Sequence, residues 1–473
     1  MYDVVIIGAG VVGGMIAREL SRYEISVCIV EKENDVGMGA TRANSAIVHA
    51  GFDAKEGSLK ASLNVRGSEM MEQACRELGV KYKRNGSMVV GFNDEDKGAL
   101  VELFERGRRN GVLGLRLISG DEAVAIEPAL SERVVAALYA PTGAIVCPYE
   151  LCVAAIGNAM DNGAELVLNF PVTGIKKCEE GFSVCSGERE IKARYLINSA
   201  GLFSDEIASL LGITEYSVHP RRGEYMLLDR ACGNIVSHTI FRTPTKMGKG
   251  ILISPTVDGN LILGPTSVDI DDKQDLSTSD EGFAKIIKEA RENIPSIQTN
   301  KVITSFTGLR SAGNTGDFII ERHGNAIHLI GIESPGLTAS PAIGEYVIRL
   351  LRDTHIFARK KENYIAKRAP MHGFRDASIE EKNETIKKDK SYGKIVCRCE
   401  GVSEGEILAA IRANPCPTDL DGVKRRTRAQ MGRCQGGFCS PYIIELLSRE
   451  LEIPMEKITK FGGGSNIVLG ETK

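Results

Sequence analysis

Apolar and polar positions alternate along this chain in blocks, and the first block is the most informative. Tyr2-Asp3-Val4-Val5-Ile6-Ile7 runs without a break into Gly8-Ala9-Gly10-Val11-Val12-Gly13-Gly14. A short apolar run closed by glycine predicts a strand and a tight turn. The period then lengthens: Val12, Ile16 and Leu20 share one face of a helix, and Ile25-Ser26-Val27-Cys28-Ile29-Val30 predicts a second strand ending on Glu31. Strand, G-x-G-x-x-G, helix, strand and acid form the order of a dinucleotide site. Gly8 makes the turn, Gly10 lets the backbone approach a pyrophosphate, and Gly13 lets helix and strand pack closely. Free N–H groups at the helix N-terminus face the phosphates. Glu31 stands where an acid accepts ribose hydroxyls, which disfavours a 2′-phosphorylated cofactor. A mere glycine-rich turn would not need both flanking strands and the acid.

The pattern continues with a Gly-, Ala-, Ser- and Thr-rich loop from Lys32 to Phe52, suited to lying along an extended cofactor. Helices are expected over 59–79, 94–110 and 151–163, with a strand over 87–92. Strands and turns over 165–193 lead to a strand at 195–201, read as the last parallel strand of the nucleotide-binding sheet, and then a helix through Leu211. Residues 215–305 look mostly β, with strands at 224–228, 251–254 and 261–264 and a hairpin signal at Asp258-Gly259. They are read as a substrate domain laid over the cofactor. Gly308-Leu309-Arg310-Ser311, a strand at 327–330 and a helix over 343–351 bring the chain back. Residues 355–393, rich in Lys, Arg and Glu, form a linker or a surface-wrapping segment.

Composition narrows the class. The chain has 473 residues, enough for two or three domains, with 42% hydrophobic and 26% charged residues. A formal charge of −3 gives no reason to expect a nucleic-acid partner. No secretory signal and no apolar run of membrane-spanning length is visible, so a cytoplasmic protein is expected, with peripheral membrane association only through a partner. Of twelve cysteines, seven are scattered between Cys28 and Cys232, as reduced core thiols would be.

The other five crowd into the last eighty residues. Cys397-Arg398-Cys399 and Cys434-Gln435-Gly436-Gly437-Phe438-Cys439 give the spacing C-x-C…C-x4-C, while Cys416, between two prolines, fits no ligand slot. Four thiolates can hold a [2Fe–2S] cluster. Structural zinc competes, but it favours wider pairs than C-x-C. Helices are expected over 403–413 and 440–451. Arg425, Arg426, Arg428 and Arg433 predict a basic face, either offsetting the charge of a cluster, receiving a redox partner, or simply solvated.

The N-terminal fingerprint, Ala43-Asn44-Ser45…His49-Ala50-Gly51, Ser199-Ala200-Gly201, Gly308-Leu309-Arg310-Ser311 and Pro335-Gly336-Leu337-Thr338 come in the order of the D-amino-acid-oxidase-like FAD flavoproteins. The resemblance covers roughly residues 1–352 and is strongest to the glycerol-3-phosphate and L-2-hydroxyglutarate dehydrogenase branch. The tail resembles bacterioferritin-associated-ferredoxin-like domains, although many of these have a shorter second spacing. Together these imply an α/β protein: a Rossmann-like FAD-binding domain (about 1–85, 145–214 and 306–354), an inserted mixed α+β substrate domain (about 86–144 and 215–305), a linker over 355–393, and a small helical [2Fe–2S] domain over 394–473. The implied FAD contacts are Gly8, Gly10, Gly13, Glu31, Lys32, Thr41, Ser45, Val172, Ala200, Gly201, Gly308, Gly336, Leu337 and Thr338. The implied cluster ligands are Cys397, Cys399, Cys434 and Cys439.

Oxidising an alcohol or amine at a flavin needs a clamped substrate and a base. Arg310 stands where the superfamily keeps an arginine for the substrate anion, and a guanidinium suits carboxylate or phosphate equally. His49 is the candidate base, the alternative being a histidine that only supports the flavin. Arg222 and Lys249 are candidate secondary anion contacts, the alternative for each being a solvated surface charge. A two-electron flavin joined to a one-electron cluster argues for a dehydrogenase that exports electrons to a redox partner subunit or carrier. The leading expectation is oxidation of glycerol 3-phosphate. The alternatives are an L-2-hydroxyglutarate-like hydroxy-acid or amino-acid dehydrogenase, or an electron-transfer subunit of a larger complex.

Overall fold

Strand Tyr2–Ile7 forms the centre of the first sheet in the computed structural model, which describes residues 1–470 apart from 244–249, 353, 355, 357 and 358. It pairs in parallel with Val27–Val30 on one side and with Arg189–Asn198 on the other. Val4, Val5, Ile6 and Ile7 are all buried, because helices cover one face and a β-hairpin with its neighbours the other. Helix Val11–Leu20 starts straight from the glycine turn and packs against Pro148–Asp161 and Gly336–Leu351, with Leu59–Leu78 outside them. Strand Glu165–Val167 extends the sheet beyond Val27–Val30. The strand expected to be the last parallel one is not: Ala326–Ile330 pairs in parallel with the end of Arg189–Asn198 and carries Ile319–His323 antiparallel beyond it. Its side chains are buried throughout, so only tertiary pairing reveals which sheet it joins.

A second sheet, of nine strands among the described residues, occupies the region expected to be the substrate domain. Its spine is the antiparallel pair Val218–Leu228 and Val302–Gly313. The latter strand therefore belongs to the substrate sheet along its whole length, and the domain boundary expected near 306 falls inside it. Strands Ser87–Gly91, Arg116–Ser119 and Ala136–Ala140 complete the same sheet, and the hairpin signal at Asp258-Gly259 joins Leu252–Pro255 to Leu261–Gly264. Helix Asp280–Asn293, in a region expected to be mostly β, buries Ile286 and Ala290 against this sheet.

Residues 359–393 wrap the surface and are anchored by polar pairs, which explains their lack of apolar periodicity. Arg368 meets Asp161 at 2.9 Å, His372 meets buried Glu150 at 2.6 Å, and Arg375 meets Asp258 at 2.9 Å. The C-terminal module packs helices Glu404–Arg412, Leu420–Thr427 and Ser440–Leu451 around Ile407, Val423, Ile443 and Leu447. The middle helix was not expected, because eight residues with one aspartate and three basic side chains carry almost no apolar stripe. Among the described residues no helix is long and apolar enough to cross a membrane.

Candidate functional site

A cavity of about 930 Å³ opens where the glycine turn, the 32–55 loop, the substrate sheet and the N-terminus of helix Gly336–Leu351 meet. The turn is built as its glycines require. Gly8 has φ +103°, and a Cβ there would lie 2.6 Å from the Ser199 carbonyl oxygen; a Cβ on Gly13 would lie 2.1 Å from that of Gly8. Gly13 thus closes the strand–helix contact from behind and does not line the cavity. Glu31 accepts hydrogen bonds from the N–H groups of Ala9 at 2.8 Å and Glu33 at 3.1 Å, yet burial raises its pKa. A half-buried acid with spare acceptor capacity fits a ribose diol. Thr41 accepts from the Val11 N–H at 3.0 Å, fixing the loop over the helix start.

Gly8, Gly10, Glu31, Lys32, Thr41, Ser45, Ala200, Gly201, Gly308, Gly336 and Leu337 all line this cavity, and so do His49 and Arg310. A Cβ on Gly308 would strike the Ala43 carbonyl oxygen at 1.9 Å, so the loop and the substrate sheet meet only because that residue is glycine. The positive end of a sixteen-residue helix faces the same space. A cavity of this size and lining fits an extended dinucleotide.

Besides Gly13, three expected residues stand elsewhere. Val172 packs in the hydrophobic layer beside Phe170 and Val184, away from the cavity lining. Thr338 acts through its neighbour: its hydroxyl accepts from the His49 N–H at 2.9 Å and donates to the Ile47 carbonyl. Arg222 is a correction. It turns away from the cavity to pair with Asp275 at 3.0 Å and Ser277 at 3.1 Å, and the residue facing inward is Arg221. Side chains alternate along a strand, so adjacent arginines take opposite faces. Lys249 lies outside the described residues.

Arg221 stands directly across the strand pair from Arg310. Two guanidiniums therefore share one wall. Arg221 is held by Asp269 at 2.6 Å. Among the described residues Arg310 hydrogen-bonds only the Ser267 hydroxyl and the Thr266 carbonyl, both at 3.4 Å, and forms no salt bridge, although its charge also reaches Asp269. Half-buried positive charge with such weak partners is suited to an incoming anion. His49 stacks on Phe241 with centroids 5.9 Å apart, and its Nε2 lies 3.5 Å from the Ser334 hydroxyl. Tyr225 reaches Ser45 at 3.3 Å. At the other end of the cavity Phe203 lies beneath the Lys32 and Lys273 ammonium groups, at 3.8 and 5.5 Å. Arg221, Phe241, Tyr225, Phe203 and Lys273 were missed. The Arg221-Arg222 doublet was the only hint, and it pointed one residue too far.

The four C-terminal cysteines form two close pairs. The sulfurs of Cys399 and Cys434 are 3.5 Å apart, and Cys397 is hydrogen-bonded by the Cys439 thiol. That bond, with the N–H groups of Gln430 and Glu400, draws the Cys397 thiol down to about 6 despite burial. N–H groups of Gly436 and Phe438 point at the Cys434 sulfur. Among the described residues no three His, Cys, Asp or Glu groups form a nest for a single ion. Two close thiol pairs under backbone donors suit a two-iron cluster better than one zinc. Cys416 lies apart, with its thiol on the Pro417 carbonyl.

The expected basic face is corrected. Arg425 and Arg426 are buried against Asp35, at 2.5 and 2.8 Å, on the cofactor loop. Arg428 is buried between Asp258 at 2.8 Å and Glu400 at 3.0 Å, and Arg433 pairs with Asp229 at 3.0 Å. Burial alone would raise the Asp35 carboxyl, but the two guanidiniums outweigh it and hold it far below the carboxylate range. These arginines dock the module onto the rest of the chain.

Comparison with known proteins agrees with this geometry. A family described as FAD dependent oxidoreductase matches residues 3–350, and one described as BFD-like [2Fe-2S] binding domain matches residues 395–449. A glycerol 3-phosphate dehydrogenase of Caloramator mitchellensis is 46% identical over 100% of this chain and 99% of its own length. The FAD-bound structure of L-alpha-glycerophosphate oxidase from Mycoplasma pneumoniae superposes with a TM-score of 0.73 at 29% identity, covering 78% of this chain and 98% of that one. Human mitochondrial L-2-hydroxyglutarate dehydrogenase is 33% identical over 56% of this chain and 61% of its own.

Proposed function

The chain belongs to the FAD dependent oxidoreductase family, and we propose that it oxidises glycerol 3-phosphate at the carbinol carbon and passes the electrons out through its [2Fe–2S] module. The observation that carries this reading is the cross-strand pair Arg310 and Arg221 on the wall of the cavity that His49 also lines. A phosphate dianion is matched by two guanidiniums. The full-length likeness to a glycerol 3-phosphate dehydrogenase, C-terminal module included, supports it.

When bound, FAD supplies the acceptor for two electrons and the carbinol hydrogen, and the cluster a one-electron site. The protein supplies the rest. Arg310 binds the phosphate, with Arg221 lending a second charge while Asp269 keeps it in place. The imidazole of His49, supported by Phe241 and by Thr338 at its backbone, takes the hydroxyl proton on Nε2. The substrate sheet and the 32–55 loop close around the reacting carbon, with Leu252, Phe241 and Tyr225 excluding water. Cys397, Cys399, Cys434 and Cys439 hold the cluster.

Anaerobic mixing with glycerol 3-phosphate, L-2-hydroxyglutarate, L-lactate and L-proline, followed by flavin bleaching, tests the substrate. Bleaching by glycerol 3-phosphate is expected; bleaching by L-2-hydroxyglutarate alone overturns the phosphate reading. Turnover with a one-electron dye much faster than with oxygen is expected of an electron exporter. The reverse would make the protein an oxidase.

A further inference from the structure

A buried ionic hub, away from the lining of the flavin cavity, joins the ligand loops of the cluster to the substrate domain. Glu400 follows Cys399 directly, and its backbone N–H donates to the Cys397 sulfur. Its carboxylate, almost wholly buried, meets Arg428 at 3.0 Å, Arg230 at 2.6 Å and Arg375 at 3.8 Å. These arginines come from three segments: the cluster module, the turn that follows strand Val218–Leu228 in the substrate domain, and the wrapping strap. Arg428 reaches further, to Asp258 at 2.8 Å and Asn260 at 3.2 Å, on the substrate-domain hairpin. It sits at φ +64°, two residues before Gln430, whose N–H points at the sulfurs of Cys397 and Cys439. Each ligand loop therefore carries one member of the Glu400–Arg428 pair. The substrate domain grips both members, Glu400 through Arg230 and Arg428 through Asp258.

A buried ion pair is a poor source of stability, since apolar packing of the same volume does as well. Fixed charges in a low-dielectric interior act strongly on a neighbour whose own charge changes. We propose that Glu400 and Arg428 are positioning residues that set the reduction potential of the [2Fe–2S] cluster, Glu400 lowering it and Arg428 raising it, in a geometry that the substrate domain locks through Asp258 and Arg230. The proposal rests on the four cysteines being the cluster ligands. Reduction adds one electron from the reductant, makes no bond, and leaves one more negative charge beside the hub.

The test is a dithionite titration of the full-length holoenzyme with mediators, without substrate, followed by the paramagnetic signal of the reduced cluster. Iron and sulfide content is measured alongside. E400Q is expected to shift the reduced-to-oxidised ratio toward reduced by about tenfold or more at the parent midpoint, equal to about 59 mV for one electron. D258N, outside the cluster module, shifts the same way, because it leaves Arg428 less compensated. R428Q shifts the opposite way. Shifts of one sign in E400Q and R428Q, or a silent D258N, overturn the proposal. So does loss of iron from all three variants, which would make the hub only a scaffold for the loops. Absence of iron from the parent protein overturns the ligand assignment itself and is read separately.

Discussion

Replacing Arg310 by alanine separates substrate binding from folding. Its guanidinium makes two long contacts, to Ser267 and to the Thr266 carbonyl, both at 3.4 Å, so its removal leaves no buried charge unpaired. Arg221 remains fixed by Asp269. The fold and the FAD site should therefore be intact, and the loss should fall on the bound phosphate. A charge-assisted contact in a site shielded from water contributes about 2–4 kcal/mol, or roughly thirty- to a thousandfold in kcat/KM. The assay is anaerobic flavin bleaching by glycerol 3-phosphate, with unphosphorylated glycerol as the control. Glycerol has no anion to lose and should react equally, if slowly, with parent and variant. Added guanidinium should recover part of the rate. Equal losses on both substrates would show that Arg310 shapes the site and does not grip the phosphate, and an unchanged rate would remove it from binding altogether.

Denaturing the purified protein should release a yellow supernatant, because the fingerprint and Glu31 hold FAD without a covalent bond; flavin retained on the precipitate would contradict this. Cys434→Ser should lose the paramagnetic signal and the cluster iron while glycerol 3-phosphate still bleaches the flavin; loss of bleaching in a folded variant would show that the cluster is more than an exit. Asp35→Asn leaves Arg425 and Arg426 buried without their carboxylate, which should cost about 3–5 kcal/mol and appear as earlier melting and faster proteolysis of the C-terminal module. The Asp35 carboxyl is depressed in the fold, so its contribution is complete above the ordinary aspartate value of about 3.9 and is lost as pH falls below it. A docking stability flat across that window would refute the pairing.

What the sequence determined by itself is what depends on near neighbours. The glycine turn was legible because strand, turn and helix follow within twenty residues, and Gly13 is demanded by a contact as near as the Gly8 carbonyl, although Gly8 itself is also crowded by distant Ser199. The same holds for the helices over 59–78 and 94–109 and for the hairpin at Asp258-Gly259, where period and turn chemistry act over a few residues. Which sheet a strand joins was not legible. Val302–Gly313 and Ala326–Ile330 follow each other closely, yet the first completes the substrate sheet and the second the nucleotide-binding sheet. Nor was the facing of Arg221 and Arg222, since a single step along a strand reverses the side and only the pairing with Arg310 says which side is the cavity. The arginines of the C-terminal module show the limit most plainly. Arg425, Arg426 and Arg428 read as a basic face, and their carboxylate partners Asp35 and Asp258 lie far away in the chain. Charge in a sequence has no depth; burial and partner are properties of the packed chain, because they depend on which distant surfaces close over it.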